Sequence, residues 1–230
     1  MKVEIWSDVV CPFCYIGKRK FEIALENFKE KDTVEIEWKS FQLDRELVAV
    51  PGKTINEYLA ERKGTTIEEG QRMNDGMAAI AKEVGLNYHL EKAIVANTFN
   101  AHRLLHFAKK YNKQNELKER LFAAYYTEGQ NIGDVETLIK LGVEVGLREH
   151  EMRSVLTTDL YKDAVELDQY EAQQIGVRGV PFFVFNNKYA VSGAQSPEVF
   201  AELLEKVSEE EKPGLIESGA GVCSIDGTCG

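Results

Sequence analysis

The sequence is short of several things. No apolar run approaches the roughly 20 residues of a membrane span. Cysteine is sparse, four in 230 residues, too few for a disulfide scaffold. Basic residues are outnumbered, 28 against 38 acidic, for a formal charge of −10. Nonspecific binding to nucleic acid or to anionic membranes needs a basic surface, so neither partner is expected. The start, Met1-Lys2-Val3-Glu4-Ile5-Trp6-Ser7-Asp8, lacks the apolar run of a secretory signal. A cytoplasmic location, where thiols are kept mostly reduced, is therefore expected. What is present is ordinary globular composition, 43% hydrophobic and 29% charged, in a length suited to one domain or two small ones.

Periodicity gives an interrupted α/β arrangement. Val3 and Ile5 alternate with polar residues and predict a strand ending near Asp8. From Gly17 to Lys31, the residues Phe21, Ile23, Ala24, Leu25 and Phe28 fall at helical spacing, and from Thr33 to Phe41 alternation returns through Val34, Ile36 and Trp38. Residues 1–42 thus read as a β-α-β unit with parallel strands. Residues 43–176 carry helical patterns only, in 68–84, 97–111, 117–125 and 135–145, with Asp134 as an N-cap. Strand character resumes at Phe182-Phe183-Val184-Phe185, turns at Asn186-Asn187 and returns through Tyr189-Ala190-Val191. Ser196-Pro197 then opens a last helix. The expected organisation is βαβ…ββα, with residues 1–42 and 177–212 as one domain, 43–176 as an all-helical insertion domain, and a glycine-rich tail over 213–230. Trp6 and Trp38 read as core, and Glu209-Glu210-Glu211 as a solvated helix end.

The strongest chemical signal is Cys11-Pro12-Phe13-Cys14 between the first strand and the first helix. A helix N-terminus offers unpaired N–H groups and a positive dipole end, which favour a thiolate at Cys11. Pro12 fits the first turn, and Cys14 lies one turn along, near enough for a disulfide. Cys11 is then the nucleophile and Cys14 the resolving thiol. The same spacing is also half of a zinc site, to be completed by Cys223 and Cys229, or two inert cysteines. The strand–CxxC–helix context favours redox chemistry. Val180-Pro181 opens the hairpin. Its plain reading is a trans proline at an edge strand, and the alternative is a cis bond that leaves the Val180 backbone free to pair with an extended substrate beside Cys11.

Residues 7–18, Ser-Asp-Val-Val-Cys-Pro-Phe-Cys-Tyr-Ile-Gly-Lys, together with Gly176-Val177-Arg178-Gly179-Val180-Pro181-Phe182-Phe183-Val184, resemble the DsbA family of thioredoxin-like proteins. Residues 97–105 and 125–133 are similar to its FrnE-like branch, which lacks a signal. The resemblance covers about residues 2–208. It implies a thioredoxin fold interrupted by a helical domain, and a dithiol–disulfide oxidoreductase acting on disulfide- or thiol-bearing proteins or small molecules. Cys11 and Cys14 would be catalytic. Pro12, Phe13, Val180, cis-Pro181 and, on a helix facing the cleft, Asn97, His102 and Arg103 would bind substrate. No cofactor beyond the redox-active pair is implied, although glutathione is a candidate partner.

One departure stands out. Exported DsbA proteins commonly have histidine where this chain has Phe13, and Phe13 cannot support a thiolate by hydrogen bonding. A less oxidising couple than theirs is expected. The 2-hydroxychromene-2-carboxylate isomerases and kappa-class glutathione transferases resemble the same fold, with serine at the place of Cys11. They supply the alternative of a glutathione-dependent transferase or isomerase, and a non-catalytic zinc-clasped binding module is the other alternative. Cys223 and Cys229 read as a second redox pair or as loose thiols. His102 and His106 sit at i, i+4 without an intervening Glu in an HExxH pattern, so no metal role is assigned.

Overall fold

A computed structural model describes residues 1–50 and 52–211. Cys223 and Cys229 lie outside the described residues. Four strands form one sheet: β1 (Lys2–Ser7), β2 (Glu35–Ser40), β3 (Phe182–Phe185) and β4 (Tyr189–Ser192). The order is β2-β1-β3-β4, with β1 parallel to β2 and antiparallel to β3, and β3 antiparallel to β4. Ile5 is the pivot of the register, opposite Trp38 on one side and Phe183 on the other. The Asn186-Asn187 turn takes positive φ at both residues, 48° and 54°, the geometry that a two-residue hairpin requires.

Among the described residues there are nine α-helices. They are α1 (Pro12–Asn27), α2 (Ile55–Lys63), α3 (Ile67–Glu83), α4 (Phe99–Lys109), α5 (Gln114–Tyr126), α6 (Val135–Glu144), α7 (Glu149–Thr157), α8 (Lys162–Gln174) and α9 (Pro197–Glu211). The chain is a mixed α/β thioredoxin-like fold, with α2 to α8 inserted between β2 and β3. Sequence signals at helix starts are realised in the caps. Asp134 accepts from the Thr137 N–H at 2.8 Å, and Thr54 and Thr66 open α2 and α3 with capping boxes to Glu57 and Glu69.

Helix α1 starts at Pro12, earlier than the apolar spacing from Gly17 indicates, because Cys14, Tyr15 and Ile16 face the insert rather than the sheet. Phe21, Ala24 and Phe28 pack with Ile5, Trp38, Phe183, Phe185 and, from α9, Phe200 and Leu204. Val9, Cys11, Cys14, Tyr15 and Ile16 belong instead to the core built by α4 to α7, with Leu104, Leu121, Phe122 and Tyr126. The dithiol therefore sits where the helical core meets the sheet. Gly17 faces Pro181 so closely that a Cβ there would lie 2.8 Å from the proline Cγ. No side chain larger than hydrogen fits there between the first helix and the loop before β3.

A second junction ties the insert to the sheet. The Asp168 carboxylate on α8 accepts from the Ser40 N–H (2.7 Å), pairs with Lys39 (2.6 Å) and meets His106 Nε2 of α4 (3.0 Å). Its backbone carbonyl accepts from Trp6 Nε1 at 2.9 Å. Ser40 Oγ also meets His106 Nε2, at 3.0 Å. Serine and aspartate thus share one ring nitrogen, which rules out a Ser-His-Asp relay, since that uses both. The cluster is an interlock of buried polar groups.

Candidate active site

Cys11 is the N-cap of α1, 4% exposed, and Cys14 is fully buried behind it. Both are free thiols. The Val180–Pro181 bond is cis, and the Cys11 thiol donates to the Val180 carbonyl at 3.3 Å. The loop before β3, 169 residues away in sequence, is thus brought onto Cys11. Between the cysteines, Phe13 is 43% exposed and forms the outward face of the motif. The Pro12 carbonyl accepts from the Tyr88 hydroxyl at 2.8 Å. Tyr88 stacks on Tyr126 (4.4 Å between centroids) and Tyr15 on Phe122 (4.7 Å), so an aromatic layer backs the motif.

The helix N-terminus alone favours a thiolate at Cys11. Here the Cys11 side chain makes no capping bond to the helix. Its thiol is pushed well above its usual range, first by hydrogen bonding with the Cys14 thiol, then by burial, and further by the negative charge of Cys14 and Asp8.

Below the thiols lies a polar cluster. Asp8, 1% exposed, accepts from His102 Nε2 (3.2 Å) and from the Leu43 N–H (2.8 Å). Burial opposes its charge, but these two bonds hold its carboxyl below the usual range. Burial keeps His102 below its ordinary value despite Asp8, so the neutral ring donates to the carboxylate. Lys118 of α5 is fully buried, and its Nζ donates to the Ser7 carbonyl at 3.3 Å. Burial pulls its pKa down to about 8, against the pull of Cys14, Asp8 and Cys11.

The residues singled out by sequence separate into two groups. Cys11, Pro12, Phe13, Cys14, Val180 and Pro181 come together. His102 reaches the site through Asp8. Asn97 acts one step further out: its side chain bonds Gln42, the Phe99 N–H and the Arg45 and Leu47 carbonyls, and so fixes the segment that carries Leu43. Arg103 is not brought to the dithiol. Its guanidinium donates to the Leu160 carbonyl at 2.9 Å, to Asn100 and to the Val155 and Thr158 carbonyls. It covers the C-terminal end of α7, because i, i+1 neighbours on a helix point in different directions.

Asp8, Tyr88, Lys118 and Tyr126 carry no assignment in the sequence reading. A signal for Lys118 exists: it falls in the apolar stripe 118, 121, 122, 125 of α5, where a lysine has no solvent to reach. Among the described residues, no group of three or more His, Cys, Asp and Glu side chains is arranged to hold a metal ion, and no helix is long and apolar enough to cross a membrane.

Residues 2–205 match the family of DSBA-like thioredoxin domains. The chain belongs to this family. The Bacillus subtilis (strain 168) protein "Uncharacterized protein YwbO" is 32% identical over 212 residues, which is 91% of this chain and 97% of that protein. The crystal structure of the probable DsbA oxidoreductase SCO1869 from Streptomyces coelicolor superposes with a TM-score of 0.86 at 38% identity, over 93% of this chain and 92% of that one. At 15% identity, the cytosolic disulfide reductase DsbM of Pseudomonas aeruginosa, solved with GSH, shares the fold with a TM-score of 0.65 over 91% of this chain and 100% of its own. A 2-hydroxychromene-2-carboxylate isomerase shares it likewise, at 11% identity and a TM-score of 0.65, over 91% and 97%. A DsbA-like domain with a buried dithiol at a helix start is a thiol oxidoreductase scaffold.

Proposed function

We propose that this DsbA-like protein is a cytosolic thiol–disulfide oxidoreductase that exchanges disulfides with protein or small-molecule partners through Cys11 and Cys14. The observation that carries this reading is the Cys11 thiol, at the surface end of the dithiol and 3.3 Å from the Val180 carbonyl. A thiolate at Cys11 attacks a substrate disulfide, one substrate sulfur leaves as thiolate, and a mixed disulfide forms. Cys14 then attacks Cys11 Sγ, the Cys11–Cys14 bond forms and the second substrate sulfur leaves. The reverse sequence reduces the enzyme at the expense of a dithiol. Exposed Phe13 and half-buried Val180 offer an apolar rim to an extended peptide beside Cys11. Glutathione is the small-molecule candidate, and the fold this chain shares with a disulfide reductase solved with GSH supports testing it first. A cysteine pair in place of a single serine favours exchange over conjugation or isomerisation.

The test is Cys14→Ser. The reduced variant, mixed with glutathione disulfide or with insulin, is expected to hold a persistent mixed disulfide on Cys11. Wild type is expected to pass through that species to the internal disulfide. Peptide mapping by mass spectrometry reads both. If Cys11 of the variant takes up neither probe, the oxidoreductase reading is wrong.

A further inference from the structure

A buried ammonium needs an anion, and Lys118 lacks a dedicated one. Its side chain is fully buried between the faces of Trp38 and Phe122, 5.4 and 5.0 Å from the ring centroids. Its one hydrogen bond among the described residues goes to a neutral acceptor, the Ser7 carbonyl. Both oxygens of the nearby Asp8 carboxylate are taken, one by His102 and one by the Leu43 N–H. Three buried polar atoms of the same region, Ser7 Oγ, His102 Nδ1 and Tyr126 OH, have no hydrogen-bond partner. A buried charge with no hydrogen-bonded counter-ion costs several kcal/mol, and a hydrophobic residue of similar volume often serves stability better. The arrangement makes sense if the missing anion appears during turnover.

The facing charges single out that anion. Cys14 lies in the same core: the Phe122 ring under the Lys118 ammonium stacks on Tyr15, the residue after Cys14, and both Cys14 and Cys11 attract the ammonium from α1. Asp8 faces it from the loop after β1, His102 from α4, and Lys18 from α1. Lys18 is neutralised by Glu22 and Glu119, at 2.5 and 2.6 Å. Cys14 is the reacting group with no exposure of its own, so water cannot stabilise its thiolate.

We propose that Lys118, supplied to the thioredoxin-like half by helix α5 of the insert, is the positioning residue whose ammonium is the counter-charge of the Cys14 thiolate in the resolving step. The proposal rests on the oxidoreductase reading. In that step the Cys14 thiol gives up its proton, which ends on the departing substrate sulfur, and the Cys14 thiolate attacks Cys11 Sγ. The Cys11–substrate S–S bond breaks as the Cys11–Cys14 bond forms, and the substrate sulfur departs with the electron pair. Lys118 neither gains nor loses a proton. Asp8, the opposing charge, acts with the opposite sign.

Two readouts on the full chain test this. Cys14 is titrated by thiolate absorbance in a background carrying Cys11→Ser, Cys223→Ser and Cys229→Ser, which leaves it the one cysteine of the chain. Adding Lys118→Met is expected to move thiolate formation up by about one in pH or more, and adding Asp8→Asn to move it down. With both cysteines present, Lys118→Met should prolong the glutathione–Cys11 mixed disulfide about tenfold or more at neutral pH, in rapid-quench mass spectrometry with glutathione disulfide. Its melting temperature should not fall, a combination that a merely structural lysine would not give. Unchanged titration and unchanged resolution in a folded Lys118→Met variant overturn the proposal. Should that variant not fold, a Cys14 titration that Asp8→Asn leaves unmoved overturns it as well. If wild-type Cys11 takes up no glutathione, the oxidoreductase reading has failed; if wild type cycles and Lys118→Met cycles equally fast, this inference alone has failed.

Discussion

Cys11→Ser is expected to abolish disulfide exchange, lowering turnover with insulin or glutathione disulfide on the order of a thousandfold or more. The size of the effect follows from burial. Cys11 is the thiol of the pair with any exposure, 4% against none for Cys14, so Cys14 has no route to a substrate disulfide. The serine hydroxyl keeps the shape and a hydrogen bond to the Val180 carbonyl but is not ionised at neutral pH and is a poor sulfur nucleophile. The fold should be unaffected, because the hydroxyl replaces the thiol in its bond to the Val180 carbonyl. Turnover assays beside a melting curve check both halves. Retention of a tenth or more of the wild-type rate would place the nucleophile elsewhere.

Asp168→Ala is expected to be the most destabilising single change outside the hydrophobic core, by about 3–5 kcal/mol. That corresponds to a drop in melting temperature of roughly 6–20 °C for a chain of this size. The carboxylate is 3% exposed and holds Lys39, His106 and the Ser40 N–H at once. Its loss leaves a buried backbone donor without a partner and a lysine held by the half-exposed Glu171 alone. Burial works against the charge on Asp168, yet His106, Lys39 and the Ser40 N–H hold its carboxyl below the ordinary 3.8. A carboxyl with a lowered folded pKa stabilises fully above its unfolded value and loses that contribution as pH falls through the folded one. The gap between wild type and variant should therefore be constant from neutral pH down to about 4 and shrink below it. Melting curves at several pH values measure it, and a variant within 1 kcal/mol of wild type would show that the interlock is not structural.

The legibility of the sequence differs between fold and site. Alternation through Val3 and Ile5, and again through Val34, Ile36 and Trp38, placed β1 and β2, because a half-buried strand must repeat every second residue. Asn186-Asn187 placed the hairpin because few residues accept positive φ. The dithiol was visible for the same local reason, since spacing and helix position lie within four residues. The start of α1 was less visible: Cys14, Tyr15 and Ile16 are buried against the insert, and a one-face pattern does not describe a helix packed on both sides. The polar groups under the thiols were invisible. Asp8 and His102 are 94 residues apart and Lys118 is 111 from the carbonyl that holds it, and no local pattern encodes such pairings. Arg103 shows the converse, since a neighbour of His102 in sequence faces another part of the molecule.

The central claim is that Cys11 and Cys14 form one reversible two-electron centre. The most direct test equilibrates the full chain in glutathione buffers of graded potential, alkylates the free thiols and maps the peptides carrying Cys11 and Cys14. The account predicts that both cysteines are protected and released together in a single two-electron transition, at a potential below the roughly −120 mV of DsbA. Separate glutathionylation of the two cysteines without an internal disulfide, or thiols that stay reduced across the whole range, would contradict it.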